Sequence, residues 1–124
     1  MNPEGTHYLV DLWGVSPTVL DNPVWLAQLM THAVKRGQLT ELDRMTHWFD
    51  PQGITMIGLL AESHISFHTY PEHRYMAIDL YTCGSLARPD AALDLLMEEL
   101  APESFHIQHL TRGQHEASHE SVSG

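Results

Sequence analysis

The segment from Glu62 to Gly84, ESHISFHTYPEHRYMAIDLYTCG, holds the densest set of reactive side chains in the sequence. Ser63 offers a hydroxyl, His64 and His68 offer imidazoles, and Cys83 carries the only thiol. His64, Ser66, His68 and Tyr70 alternate, so on a strand they share one face while Ile65 and Phe67 share the other. A strand pair would bring hydroxyl, imidazole and thiol together, which are the groups of proton transfer and nucleophilic chemistry. His64, His68, His73 and Cys83 are also residue types that bind zinc. Their spacing on strands is generic, and no metal is expected. His115 and His119 stand four apart in a polar tail and read as solvated. Each residue also has an ordinary role: Ser63 as a turn residue, His68 as a surface or satisfied interior histidine, Cys83 as a small buried hydrophobe. No GxGxxG, GxxxxGK[ST], HExxH, CxxC or GxSxG motif is present.

The elements that must position these groups can be read from periodicity and breakers. Thr6–Trp13 is rich in β-branched and aromatic residues and stops at Gly14, which predicts a strand. Asp21 or Asn22 caps a helix over residues 22–36, with Pro23 in its first turn and Lys35 and Arg36 at its end. Gly37 is expected in the left-handed cap position. Residues 38–49 form a weaker strand candidate, and DPQG at 50–53 a turn. Ile54–Ala61 is apolar throughout and reads as a strand buried on both faces. Residues 64–70 and 75–83 are strands joined by a turn at 71–74. Leu93, Leu96, Met97 and Leu100 mark a second amphipathic helix over 89–100, and 104–110 is the last strand. The order β-α-β-β-β-β-α-β predicts an α/β (α+β) fold: a two-layer sandwich of a largely antiparallel sheet with two helices on one face.

Composition bounds the function. The chain has 124 residues and a mass of 14.0 kDa, enough for one domain. Residues 1–113 are expected to form that domain, and 114–124 a polar, disordered tail. Six basic residues against 16 acidic ones give a net charge of −10, a poor basis for binding nucleic acid or an anionic membrane. The longest apolar run, Met56–Ala61, is far short of the about 20 residues of a membrane span. The N-terminal residues lack the basic and apolar regions of a signal peptide. A lone cysteine suits a reducing, cytoplasmic location.

The residues alone stop at a small α/β domain with a polar cluster. The wording of the segment goes further. It resembles the cleavage-site region of the bacterial and archaeal S-adenosylmethionine decarboxylases, which are pyruvoyl-dependent. Glu62-Ser63-His64, Ser66, His68-Thr69, Pro71-Glu72, Asp79 and Thr82-Cys83-Gly84 follow the family pattern in order. The likeness extends to Gly5, His7 and Asp11, to Leu20-Asp21-Asn22, and to Phe49, Pro51 and Gly53, covering about residues 5–113. Tyr70 stands where the family usually has Trp, Val15 where many members have Cys, and Thr55 where relatives carry a Ser that assists self-cleavage.

The resemblance implies a proenzyme that cuts itself between Glu62 and Ser63, giving chains 1–62 and 63–124, with Ser63 becoming a covalent pyruvoyl group. That group would form a Schiff base with the substrate amine and replace pyridoxal phosphate. By the same resemblance His68 is the acid or base of processing, Thr55 a processing aid, and Cys83 the proton donor to the substrate Cα. His68 lies five residues beyond Ser63, so the turn at Ser63 must break strand alternation if the two are to meet. Phe49 is the candidate to stack on adenine, Glu72 to hold the ribose hydroxyls, and Tyr70 to line the pocket. The implied substrate is S-adenosylmethionine and the implied product its decarboxylated form, for spermidine synthesis. Family members of this size are homodimers with sites near the subunit interface. Arginine or ornithine decarboxylation on the same scaffold is the alternative, and an uncleaved, non-enzymatic homologue a further one.

Overall fold

The computed structural model describes residues 2–115. Six strands form one antiparallel sheet: β1 (Gly5–Trp13), β2 (Glu41–Trp48), β3 (Ile54–Leu60), β4 (Ser63–Tyr70), β5 (Tyr75–Cys83) and β6 (Ser104–Arg112). Their spatial order is β2-β3-β4-β5-β1-β6. Helices α1 (Pro17–Leu20), α2 (Pro23–Arg36) and α3 (Pro89–Leu100) complete the chain, with a 3-10 turn at Pro71–His73. The expected tail falls largely on residues 116–124, and His119 with it, outside the described residues.

Helix α2 begins where the sequence signals it. The Asn22 side chain accepts the Trp25 amide at 3.0 Å, and Pro23 occupies the first turn. Leu26, Leu29, Met30, Ala33 and Val34 recur at helical spacing and are buried. Leu93, Leu96 and Leu100 do the same for α3. Both helices pack on one face of the sheet, against Val10, Leu12, Met56, Ile65, Phe67, Met76, Ile78 and Leu80. Each fully buried Leu, Ile, Met or Phe of this core contributes about 1.5–3 kcal/mol by leaving water.

The two-layer sandwich is as expected, and several local features differ. The four-residue helix α1 has no counterpart in the sequence reading. Gly37 keeps an ordinary φ of −81°, and the left-handed residue is Gln38, with φ of 55°. Asp21, the other cap candidate, instead accepts the Gly53 amide at 3.0 Å and the Trp48 indole at 3.2 Å, tying the turn at 50–53 to the helix. Strand β3 is buried on one face only. Ile54, Met56 and Leu60 face the core, while Ile57 and Leu59 are 44% and 53% exposed. Helices cover one side of this sheet, and the other side is open within the protomer. Among the described residues no helix is long and apolar enough to cross a membrane.

Candidate active site

The sequence-predicted residues fall into two groups, at opposite ends of β4 on or beside the open face. At the first end the β3–β4 turn brings Glu62 to the end of β5. The Glu62 carbonyl accepts the Cys83 amide at 3.0 Å and the Cys83 thiol at 3.2 Å. Two donors on one carbonyl oxygen polarise it, an arrangement that stabilises negative charge developing there. The Glu62 side chain is turned away and accepts the Thr40 amide at 3.0 Å. Ser63, which follows, has φ of 154°, in the region that favours glycine. For a serine this is a strained conformation, of a kind that costs about 1–3 kcal/mol and clusters at functional sites. Gly84, with φ of 109°, ends β5 beside it. A cleft of about 250 Å³ opens here, lined by Gly5, Thr6, Thr82, Cys83, Gly84 and Thr111 among others.

The second end holds the remaining candidates. Thr55 pairs with His68 across β3 and β4, and Thr55 Oγ1 and His68 Nδ1 share a hydrogen bond of 3.1 Å. On β2, His47 pairs with Thr55, and its ring meets Phe49 edge-on at 4.4 Å. Tyr70 is half-exposed and lies 5.5 Å from Tyr75. Glu72 sits exposed in the 3-10 turn just beyond. One expectation is corrected. Strand β4 runs without a break from Ser63 to Tyr70, paired on both sides, so the turn does not bring His68 back to Ser63. Five extended residues separate them by about 16 Å. His64, His68 and Tyr70 do share the open face, as expected, and His73 lies apart in the 3-10 turn.

Sequence reading left several groups of this face without a role. Tyr75 donates a short hydrogen bond to Asp11 and packs on Trp13 at 4.3 Å between ring centres. Burial, with Asp11 as the next cause, pushes the Tyr75 phenol up to about 12. On the first half of the face His7 Nε2 donates to Asp79 Oδ1 at 2.8 Å. The His64 ring lies 6.2 Å from that of His7. The spacing of His7 and Asp11 on β1, with that of Tyr75 and Asp79 on β5, already put each pair on one face. Only the pairing of β1 with β5 brought the pairs together. A larger cavity, about 470 Å³ between α2 and β2, contains none of the candidate residues.

Both the sequence and the fold are similar to those of known proteins. Residues 6–113 match the family model described as S-adenosylmethionine decarboxylase. A Bacillus anthracis protein named S-adenosylmethionine decarboxylase proenzyme 2 is 44% identical over 109 residues, covering 88% of this chain and 89% of its own. The S-adenosylmethionine decarboxylase proenzyme of Parasynechococcus marenigrum is 41% identical over 108 residues, 87% of this chain and 84% of its own. The crystal structure of the adenosylmethionine decarboxylase from Aquifex aeolicus superposes with a TM-score of 0.86 at 36% identity, covering 98% of this chain and all of that one. With the family model spanning nearly all the described residues and the fold superposing end to end, the chain belongs to the S-adenosylmethionine decarboxylase family.

Proposed function

We propose that this chain is a self-processing decarboxylase that converts S-adenosylmethionine to its decarboxylated form, in the cytoplasm and on the route to spermidine. The observation that carries the reading is the Glu62 carbonyl held by the Cys83 amide and thiol beside a strained Ser63. The Ser63 hydroxyl attacks that carbonyl carbon, and the amide becomes an ester. Loss of the Ser63 α-proton expels the Glu62 carboxylate and leaves dehydroalanine. Tautomerisation and addition of water release ammonia and leave a pyruvoyl end on the chain that begins at residue 63. Each product chain has 62 residues. Strain at the Glu62–Ser63 bond is relieved by cleavage and so favours it.

The residues at this end fit such a group, because cleavage leaves it beside Cys83. The pyruvoyl carbonyl supplies an electron sink for the substrate amine and for the electrons left when carbon dioxide departs. Cys83 holds the proton that returns to the substrate Cα. A thiol is a proton donor that can give its proton up to a neighbouring carbanion. At the other end of β4, Phe49 offers a ring to the adenine, Tyr70 lines the pocket, and Glu72 accepts from the ribose hydroxyls. His68, with Thr55 bonded to its Nδ1, moves protons during processing.

About 16 Å within one protomer separates His68 from the bond that it is to help cut. A two-fold dimer resolves this. In an isologous contact whose two-fold axis runs across β4, each end of the face meets the opposite end of the other copy. Joining the open faces sets His68, Thr55, Phe49 and Glu72 of one protomer against Ser63 and Cys83 of its partner, twice. Met45, Ile57, Leu59 and Leu110 expose apolar surface that such a contact buries. The cleft beside Cys83 is below the about 300 Å³ of an ordinary ligand pocket, in keeping with a site completed by a second copy.

Intact-mass analysis tests processing: the purified protein separates into two chains, the later one with a blocked N-terminus. A wild-type chain that stays at 14.0 kDa overturns the proposal. Carbon dioxide release from S-adenosylmethionine, arginine and ornithine tests the substrate, and the relatives' names favour the first.

A further inference from the structure

The half of the open face nearer Ser63 carries a second constellation that processing and decarboxylation do not use. His7 on β1, His64 on β4 and Asp79 on β5 lean together, and one ligand atom from each lies within 4.8 Å of the others. His7 and Asp79 are explained by their own hydrogen bond of 2.8 Å. His64 is not. Its imidazole makes no hydrogen bond among the described residues, yet it is drawn into the group against His7 and Tyr81. We propose that His7, His64 and Asp79 form a binding site for a divalent transition metal ion of the zinc or cobalt type.

Two imidazoles and one carboxylate are a recurring three-protein-ligand set, with a fourth position left for water or another ligand. Tetrahedral zinc with bonds of about 2.0–2.2 Å places its ligand atoms about 3.4 Å apart. The present spacings of up to 4.8 Å close to that with rotation of the His64 side chain, while the His7–Asp79 contact opens slightly. Burial lowers the pKa of His64, and a neutral imidazole is the form that coordinates. The three residues sit on adjacent strands in the order β4-β5-β1, so backbone pairing fixes their positions before any ion arrives. Arg112 lies nearby, its guanidinium 4.8 Å from the centre of the Tyr81 ring. That positive charge works against ions held by charge alone, such as magnesium or calcium. It is less adverse to ions held by nitrogen coordination.

The test uses the full-length Ser63→Ala proenzyme, so that chain cleavage and binding are measured apart. Chelator-treated protein is titrated with zinc and with cobalt(II), following heat, visible absorption and thermal midpoint. One ion per chain is expected, with a raised midpoint and a cobalt band typical of four or five ligands. His7→Ala and His64→Ala each weaken binding by more than about tenfold, while His73→Ala, apart from the cluster, leaves it unchanged. Should either variant fail to fold, the cobalt spectrum of the unsubstituted triad still decides. Absence of saturable binding, absence of that band, or binding that survives both histidine substitutions overturns the site.

Discussion

The two ends of β4 are built alike and equipped differently. Both lie on a sheet face that no helix covers, and both are held by antiparallel pairing on each side. The Ser63 end concentrates reactive atoms: a strained serine, a polarised carbonyl and the thiol that polarises it. The His68 end concentrates the groups proposed to bind substrate and move protons: the Thr55–His68 pair, the His47–Phe49 pair and the Glu72 carboxylate. One end has the bond that the proposed processing cuts and little to recognise a nucleoside. The other holds the groups proposed to recognise one and has no such bond. On the proposed function a single copy carries two half-sites, and a symmetric pair of copies carries two whole ones.

The largest expected effect comes from removing the reactive atom. Ser63→Ala remains one chain on a denaturing gel after any incubation, because no hydroxyl attacks Glu62. His68→Ala slows cleavage by about 10²–10⁴-fold, the usual size of a positioned acid or base. Mixing the two variants sharpens the comparison. The first retains His68 and the second retains Ser63, so a mixed dimer regains one complete half-site pair. Co-expression should restore cleavage of the His68→Ala chain. Failure of that rescue, with mixed dimers shown to form, rejects the shared site.

Cys83→Ala should lower decarboxylation more than cleavage, read as carbon dioxide released per mole of processed protein. Cleavage also slows, because the thiol donor to the Glu62 carbonyl is gone while the backbone donor remains. Glu72→Gln is milder: KM for S-adenosylmethionine rises while cleavage stays normal, since an amide still accepts one hydrogen bond. The smallest effect is at Tyr75. Its folded pKa of about 12 lies above the unfolded value near 10. Above pH 10 the unfolded chain loses this proton first, so the stability associated with it falls as pH rises from about 10 to 12. Tyr75→Phe should flatten that part of the stability profile and remove the last phenolate step from an ultraviolet titration.

The sequence by itself determined the elements, and with them the fold class. Apolar residues at helical spacing in 23–36 and 89–100, and alternation in 64–70, are local patterns that burial on one side enforces. The Glu62–Gly84 wording also pointed to the family that the comparisons show, and through it to the residues proposed to carry the chemistry. Sequence patterning misjudged β3, since an apolar run looks the same whether its second face meets a helix, a second sheet or water. It misplaced the left-handed residue after α2, because either Gly37 or Gln38 satisfies a helix end. Only the tertiary structure decided the distances. Strand order sets Cys83 against Glu62, His7 against Asp79 and Tyr75 against Asp11, and an unbroken β4 holds His68 away from Ser63. Such pairings join residues up to 72 positions apart in the chain. Local propensity carries no information over that span, because register is fixed by the shared core and by backbone hydrogen bonds between strands.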